Sequence, residues 1–285
     1  MRNPFGAIVF VTALLVGSAT VCHAAGPESA GTVVELETPL ASPHPLQGYL
    51  RKPGGSGALP AVVLLGSCVG NWRRLDERWG KLIASWGYVT LTVDSLGPRG
   101  LQSTCTGAPS DDFAFDAYRA LKFLAQRSFV DPARVAALGF SSLGGWIVLS
   151  SVERGTIERN SQDKFRAAVA FYPPCLGFKG DMTVPTLIMI GELDDWTTAT
   201  ACRNMVDGKD DWGISRQKGN GVPVRLIVYP GAYHGFDAPN LKTPSDMFGH
   251  HLEFNQAAAD RSIAALREFL DWTIGARSQG QALAK

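Results

Sequence analysis

Gly139-Phe140-Ser141-Ser142-Leu143-Gly144-Gly145 follows directly on the apolar run Val135-Ala136-Ala137-Leu138. A strand that ends in a serine and passes through glycines into a helix presents its hydroxyl in a sharp turn, the form of a nucleophile elbow. A serine hydroxyl becomes a useful nucleophile only when a histidine takes its proton. The histidine in turn needs a carboxylate to fix its tautomer and stabilise its cation. Both follow downstream, in Gly191-Glu192-Leu193-Asp194-Asp195 and in Gly231-Ala232-Tyr233-His234-Gly235-Phe236. These residue types support acyl transfer through a covalent serine adduct.

Within the elbow one extra residue separates Gly139 from Gly144, so no serine has a small residue on both sides at spacing two. Ser141 keeps Gly139 before it, and Ser142 keeps Gly144 after it. Strand register counted from Asp131-Pro132-Ala133-Arg134 favours Ser141, with Ser142 the alternative. Asp194 and Asp195 are adjacent candidates for the acid. After the N-terminal segment the histidines are His44, His234, His250 and His251. The adjacent pair His250-His251 points two ways on any regular element and reads as surface or structural.

An oxyanion hole takes two backbone N–H groups, one from the residue after the nucleophile and one from a loop after an earlier strand. Ser142 supplies the first if Ser141 attacks, and Cys68 in Leu65-Gly66-Ser67-Cys68-Val69-Gly70 is the candidate for the second. Arg99, in Asp94-Ser95-Leu96-Gly97-Pro98-Arg99-Gly100, is a candidate for binding a substrate carboxylate bidentately. The plainer reading pairs it with a local acid or carbonyl. Trp196, Tyr233 and Phe236 flank the acid and the base and are candidates for lining an apolar pocket.

Something must bring these residues together. Apolar, β-branched runs recur at Ala61 to Leu65, Tyr88 to Val93, Val135 to Gly139, Ala167 to Tyr172, Thr186 to Ile190 and Val224 to Tyr229. Continuous apolar strands are buried on both faces, as in a parallel sheet. Gly31 to Thr38 and Leu46 to Arg51 alternate more and read as an antiparallel edge. Helical patterns fall between the strands at about Leu75 to Trp86, Asp111 to Gln126, Leu143 to Arg154, Thr197 to Val206 and Gln256 to Ile274. The alternation predicts an α/β fold with a doubly wound, mostly parallel sheet flanked by helices. In that architecture functional groups gather at the carboxyl ends of the strands, where Ser141, Asp194 and His234 all fall.

The N-terminus opens with Met1-Arg2-Asn3 and an apolar stretch of about 12 residues, and closes with small residues before Ala24, the pattern of a secretory signal peptide. The stretch is shorter than the roughly 20 residues a spanning helix needs. Cys22 follows Val21, where a lipoprotein signal calls for a small residue, so no membrane anchor is expected. Residues 25–285 then form one domain in the periplasm or outside the cell. Removing Arg2 leaves 27 − 1 = 26 basic residues against 26 acidic ones, which offers no electrostatic footprint for nucleic acid.

Cys68, Cys105, Cys175 and Cys202 remain, an even number in an exported chain, and none is spaced as a metal or redox pair. Cys68 and Cys105 sit in loops after neighbouring strands, and Cys175 lies beside the strand whose following helix carries Cys202. Pairs Cys68–Cys105 and Cys175–Cys202 are therefore expected. Neither a cofactor nor a metal is called for.

These motifs resemble the dienelactone hydrolase family of α/β-hydrolases, from about Ala61 to Leu270. The resemblance is carried by Pro60 to Gly70, Val93 to Gly100, Asp131 to Trp146, Phe171 to Cys175, Gly191 to Trp196 and Tyr229 to Asp237. It implies the α/β-hydrolase fold and hydrolysis of a small ester or lactone. Its G-x-x-D pattern places the acid at Asp194, leaving Asp195 as a solvated or capping residue before Thr197. The G-x-S-x-x-G elbow, with a large residue at the same place, is similar to that of cocaine-esterase-like hydrolases and again implies Ser141. The family's namesakes use cysteine where this chain has serine, and Gly66 stands where many α/β-hydrolases have histidine. The other readings are an amide, peptide or thioester hydrolase, and a silent binding protein on the same fold.

Overall fold

The computed structural model describes residues 31–275 except 41, 55, 108 and 218. The signal-peptide reading of residues 1–24, Cys22 with it, lies outside the described residues.

Eight strands form one sheet in the order β1-β2-β4-β3-β5-β6-β7-β8. They are β1 (Thr32–Glu35), β2 (Gln47–Arg51), β3 (Leu59–Leu65), β4 (Val89–Asp94), β5 (Val130–Phe140), β6 (Ala167–Phe171), β7 (Thr186–Gly191) and β8 (Val224–Tyr229). β1 and β2 pair antiparallel, β2 joins β4 antiparallel, and the other pairings are parallel. The sequence decides this division. Ala167–Phe171 and Thr186–Gly191 are buried throughout, because crossover helices cover both faces of a parallel sheet. The chain runs from β3 to β4 on one side and returns to β5 on the other. The loops after β3 and β5 therefore flank the topological switch point, where α/β sheets open a crevice.

The helices are α1 (Trp72–Leu75), α2 (Lys81–Ser85), α3 (Asp111–Ala125), α4 (Trp146–Val152), α5 (Thr156–Arg159), α6 (Ala199–Asp207) and α7 (Gln256–Thr273). α1 and α2 are joined end to end by a π-helical turn over Asp76–Gly80, so the helix expected from Leu75 begins three residues earlier and is wider in the middle. Thr198 and Asn255 cap α6 and α7, accepting the N–H groups of Ala201 and Ala258. Two short strands, β9 (Ser245–Met247) and β10 (His250–Leu252), form a hairpin that the sequence pattern did not announce. Three residues per strand are too few for a period-two signal to stand out.

Disulfides join Cys68 to Cys105 and Cys175 to Cys202, each with Cα atoms 4.9 Å apart. Both agree with the pairing expected from the strand order.

Candidate active site

β5 delivers its last residue, Phe140, stacked on Phe171 of the neighbouring strand at 4.7 Å. Ser141 then adopts φ 60°, a left-handed conformation unusual for a residue with a Cβ. A π-helical turn over Ser141–Gly145 leads into α4. This turn explains the irregular spacing seen in the sequence. The wider π turn takes up one additional residue, so Gly144 still reaches the place where it packs against the end of β3. A Cβ on Gly139 would lie 2.0 Å from the Gly144 carbonyl oxygen, and a Cβ on Gly144 would lie 2.2 Å from the Leu65 oxygen. Both glycines are demanded by close backbone approach.

The turn presents Ser141 Oγ 2.8 Å from His234 Nε2, and His234 Nδ1 lies 2.8 Å from Asp194 Oδ2. Ser142 Oγ is buried and has no hydrogen-bond partner among the described residues. All three members of the chain of contacts are buried, at 3–4% exposure. Asp194 follows β7, and its Oδ1 accepts the N–H groups of Trp196 and Thr197. His234 follows β8 on a loop that passes close over Gly191, where a Cβ would lie 2.2 Å from the Ala232 oxygen. Asp195 is exposed and accepts the His251 N–H instead.

A cavity of about 650 Å³ opens onto Ser141 and His234. Cys68, Trp196, Phe140 and Tyr172 line it, with Leu241 and Met247 on the side of the β9–β10 hairpin and Arg78 on the side of the π turn. Trp196 stacks on His250 at 5.0 Å and tilts against His234 at 5.1 Å, so His250 supports the cavity wall from behind. Cys68 brings the loop after β3 to the cavity, and its disulfide ties that loop to the segment after β4.

Three of the residues expected at the substrate cavity are corrected. Arg99 does not reach the cavity. Its side chain is 4% exposed, and its guanidinium is held by Asp112 and Asp116, each at 2.8 Å, with the Ser95 carbonyl at 2.7 Å. The plainer reading of local pairing is the one the structure holds. Phe236 is fully buried and packs between Phe171 and Tyr229 beneath the site, so it belongs to the core and not to the cavity wall. Tyr233 lies against His251 at 4.2 Å and is not a lining residue.

Sequence reasoning missed a buried polar network beside the histidine. Asp237 accepts hydrogen bonds from the Trp79 indole at 2.8 Å and the Tyr172 hydroxyl at 2.6 Å, and Arg78 Nε lies 3.5 Å away. Burial, with the Asp237 charge added, holds the Tyr172 phenol well above its ordinary range, so it stays a donor. Asp237 stood in view in His234-Gly235-Phe236-Asp237. Its partners, at positions 79 and 172, come from other elements and carry no local signal.

A mostly parallel α/β sheet with serine, histidine and aspartate converging at its carboxyl end defines the class of α/β-hydrolases. The family model of dienelactone hydrolases matches residues 46–273, and the chain belongs to that family. A curated relative, lipase 1 of Moraxella sp. (strain TA144), is 26% identical over 150 residues, 51% of this chain; the match spans 42% of that lipase's length. Among solved structures, a dienelactone hydrolase-like promiscuous phosphotriesterase from metagenomic libraries superposes with a TM-score of 0.66 at 20% identity, covering 87% of this chain and 100% of that one. Esterase 2 of Thermogutta terrifontis, phosphorylated by paraoxon, gives 0.60 at 18% identity, covering 87% and 96%. These structures share the fold.

Proposed function

We propose that this chain is an exported serine hydrolase that cleaves a small carboxylic ester or lactone. The observation that carries the reading is the continuous contact from Asp194 through His234 to Ser141, ending at a cavity large enough for a small organic molecule.

In this reading His234 Nε2 takes the Ser141 proton as Oγ bonds to the substrate carbonyl carbon. The developing oxyanion is held by the backbone N–H groups of Ser142 and Cys68. His234 then gives its proton to the departing alkoxide, leaving an acyl-serine. Water, deprotonated by the same histidine, releases the acid and restores Ser141. Asp194 fixes the imidazole, with its other oxygen held by two amides. Trp196 forms one wall of the substrate cavity. The steps use only these groups and water, so no cofactor is invoked. Residues 1–24 act as the export signal in this reading, residues 25–285 as one catalytic domain, and the two disulfides suit an oxidising compartment.

The test is labelling and turnover. A fluorophosphonate should modify the protein at Ser141, as paraoxon phosphorylates the Thermogutta terrifontis esterase. Ser141→Ala should lower kcat for p-nitrophenyl acyl esters by several orders of magnitude, while Ser142→Ala keeps most of the rate. An adduct on Ser142, or full turnover by Ser141→Ala, would sink the assignment.

A further inference from the structure

Thr197 has a single hydroxyl proton and three polar neighbours within reach. Its Oγ1 lies 2.9 Å from the Tyr172 carbonyl oxygen, 3.1 Å from Asp194 Oδ2 and 3.2 Å from His234 Nδ1. Where that proton points decides what Thr197 does to the histidine.

Asp194 is already supplied. Oδ1 accepts two backbone N–H groups, at 3.0 and 2.8 Å, and Oδ2 faces His234 Nδ1 at 2.8 Å. The Tyr172 carbonyl is different. It belongs to a buried residue in the left-handed conformation, φ 39°, just past the end of β6, so it has left the sheet ladder. Among the described residues the Thr197 hydroxyl is the donor it receives. A buried carbonyl left without a donor costs free energy. Tyr172 is in turn held in this twist by its own hydroxyl, bonded to buried Asp237, and by its ring, 4.6 Å from His234.

We infer that Thr197 is a positioning residue for His234: it donates its proton to the Tyr172 carbonyl and thereby turns a lone pair toward Nδ1, as a second acceptor beside Asp194. An acceptor-only neighbour at Nδ1 favours the tautomer with hydrogen there, which leaves the Nε2 lone pair for Ser141. It also stabilises the imidazolium formed during attack. The groups facing His234 from the packed elements are Asp194 after β7, Ser141 after β5 and Tyr172 after β6. Asp237 acts through the Tyr172 hydroxyl with Arg78 behind it, and His250 of β10 through Trp196. The inference rests on the reading of His234 as the base.

The sign of one shift tests it. Thr197→Val removes the hydroxyl and keeps the shape. Losing an acceptor makes the imidazolium less stable, so the acid limb of kcat/KM should move to lower pH by about half to one unit, and kcat should fall about tenfold. KM should change less than twofold, and Thr197→Ser should restore both quantities. If the hydroxyl proton belonged to Asp194, its removal would strengthen that carboxylate and move the limb to higher pH. A shift to higher pH, an unmoved limb, or a loss expressed only in KM overturns the inference. Should Thr197→Val fail to fold, Thr197→Ala, which also lacks the hydroxyl, carries the same test: an acid limb moved to lower pH supports the inference, and a limb unmoved or moved to higher pH overturns it. Activity in Ser141→Ala would instead overturn the hydrolase reading, so the two failures are distinguishable.

Discussion

Gly144→Ala adds one methyl group at the point where the elbow meets the end of β3. The new carbon would lie 2.2 Å from the Leu65 oxygen, 2.6 Å from the Gly66 oxygen and 2.8 Å from the Leu65 carbonyl carbon. All three are backbone atoms of a central strand and its exit, hydrogen-bonded on both sides, so they cannot turn away as a side chain would. Ordinary contact begins at 3.4 Å, and 3.4 − 2.2 leaves about 1.2 Å to be opened between the serine turn and the loop carrying Cys68. Overpacking of this kind costs about 1–3 kcal/mol. In the proposed mechanism the separation widened is the one that sets nucleophile against oxyanion donors, where a misplacement of about 1 Å costs on the order of 100-fold in rate. The assay is kcat/KM for a p-nitrophenyl ester alongside urea unfolding, with Gly107→Ala as control, since a Cβ there meets nothing within 4 Å. Gly107→Ala should stay within about 0.5 kcal/mol of the unaltered protein and keep its rate. A Gly144→Ala protein with unaltered rate and stability would refute the claim that close backbone approach fixes this glycine.

The disulfides close segments of 37 and 27 residues, so replacing either pair by alanines should lower the unfolding free energy by about 3.5–4 kcal/mol, read from urea midpoints. Only the Cys68–Cys105 replacement should also reduce kcat/KM. Arg99→Ala would leave Asp112 and Asp116 facing Arg119 alone and should cost about 3–5 kcal/mol in stability. KM for anionic esters should be unaltered, and a rise for anionic but not neutral esters would return Arg99 to the substrate site. Burial pushes the Tyr229 phenol up to about 12 and raises Tyr88, Tyr118 and Tyr172 as well. The folded state thus holds these protons more tightly than the unfolded chain, and their contribution, complete below about pH 10, is lost as pH rises through the folded values. Tyrosinate absorbance should appear together with unfolding, whereas full ionisation of a folded protein would contradict the burial argument.

What the sequence made legible was whatever depends on one segment at a time. The apolar runs marked all six parallel strands: burial on both faces leaves no alternation to obscure inner strands such as β6 and β7, and the half-buried edge strand β8 still reads as apolar apart from Arg225. Gly139, Gly144, Asp194 and His234 announced themselves through fixed spacings at strand ends. What was illegible needed two segments at once. Arg99 sits at a strand exit like a binding residue, yet α3 presents Asp112 and Asp116 one turn apart and captures it. Phe236, two residues from the histidine, is turned inward by the glycine at 235, φ 71°. Asp237 is polar and follows the histidine, and nothing near it in the chain reveals that Trp79 and Tyr172 converge on it. The extra residue of the elbow read as an irregularity until the π turn gave it a place.

His234 is carried past the end of β8, and β8 is the last strand of the sheet, hydrogen-bonded on one side to β7 alone. Ser141 is carried by β5, which is paired on both sides. The proposed nucleophile and its proposed base therefore sit on parts of the molecule with unequal resistance to hydrogen exchange, because an outer strand opens by breaking one ladder and an inner one by breaking two. An opening confined to β8 separates the histidine from the serine while the core remains closed. Warming should then silence the enzyme before it unfolds, and cooling should restore it without refolding, so activity reports on a single margin of the sheet.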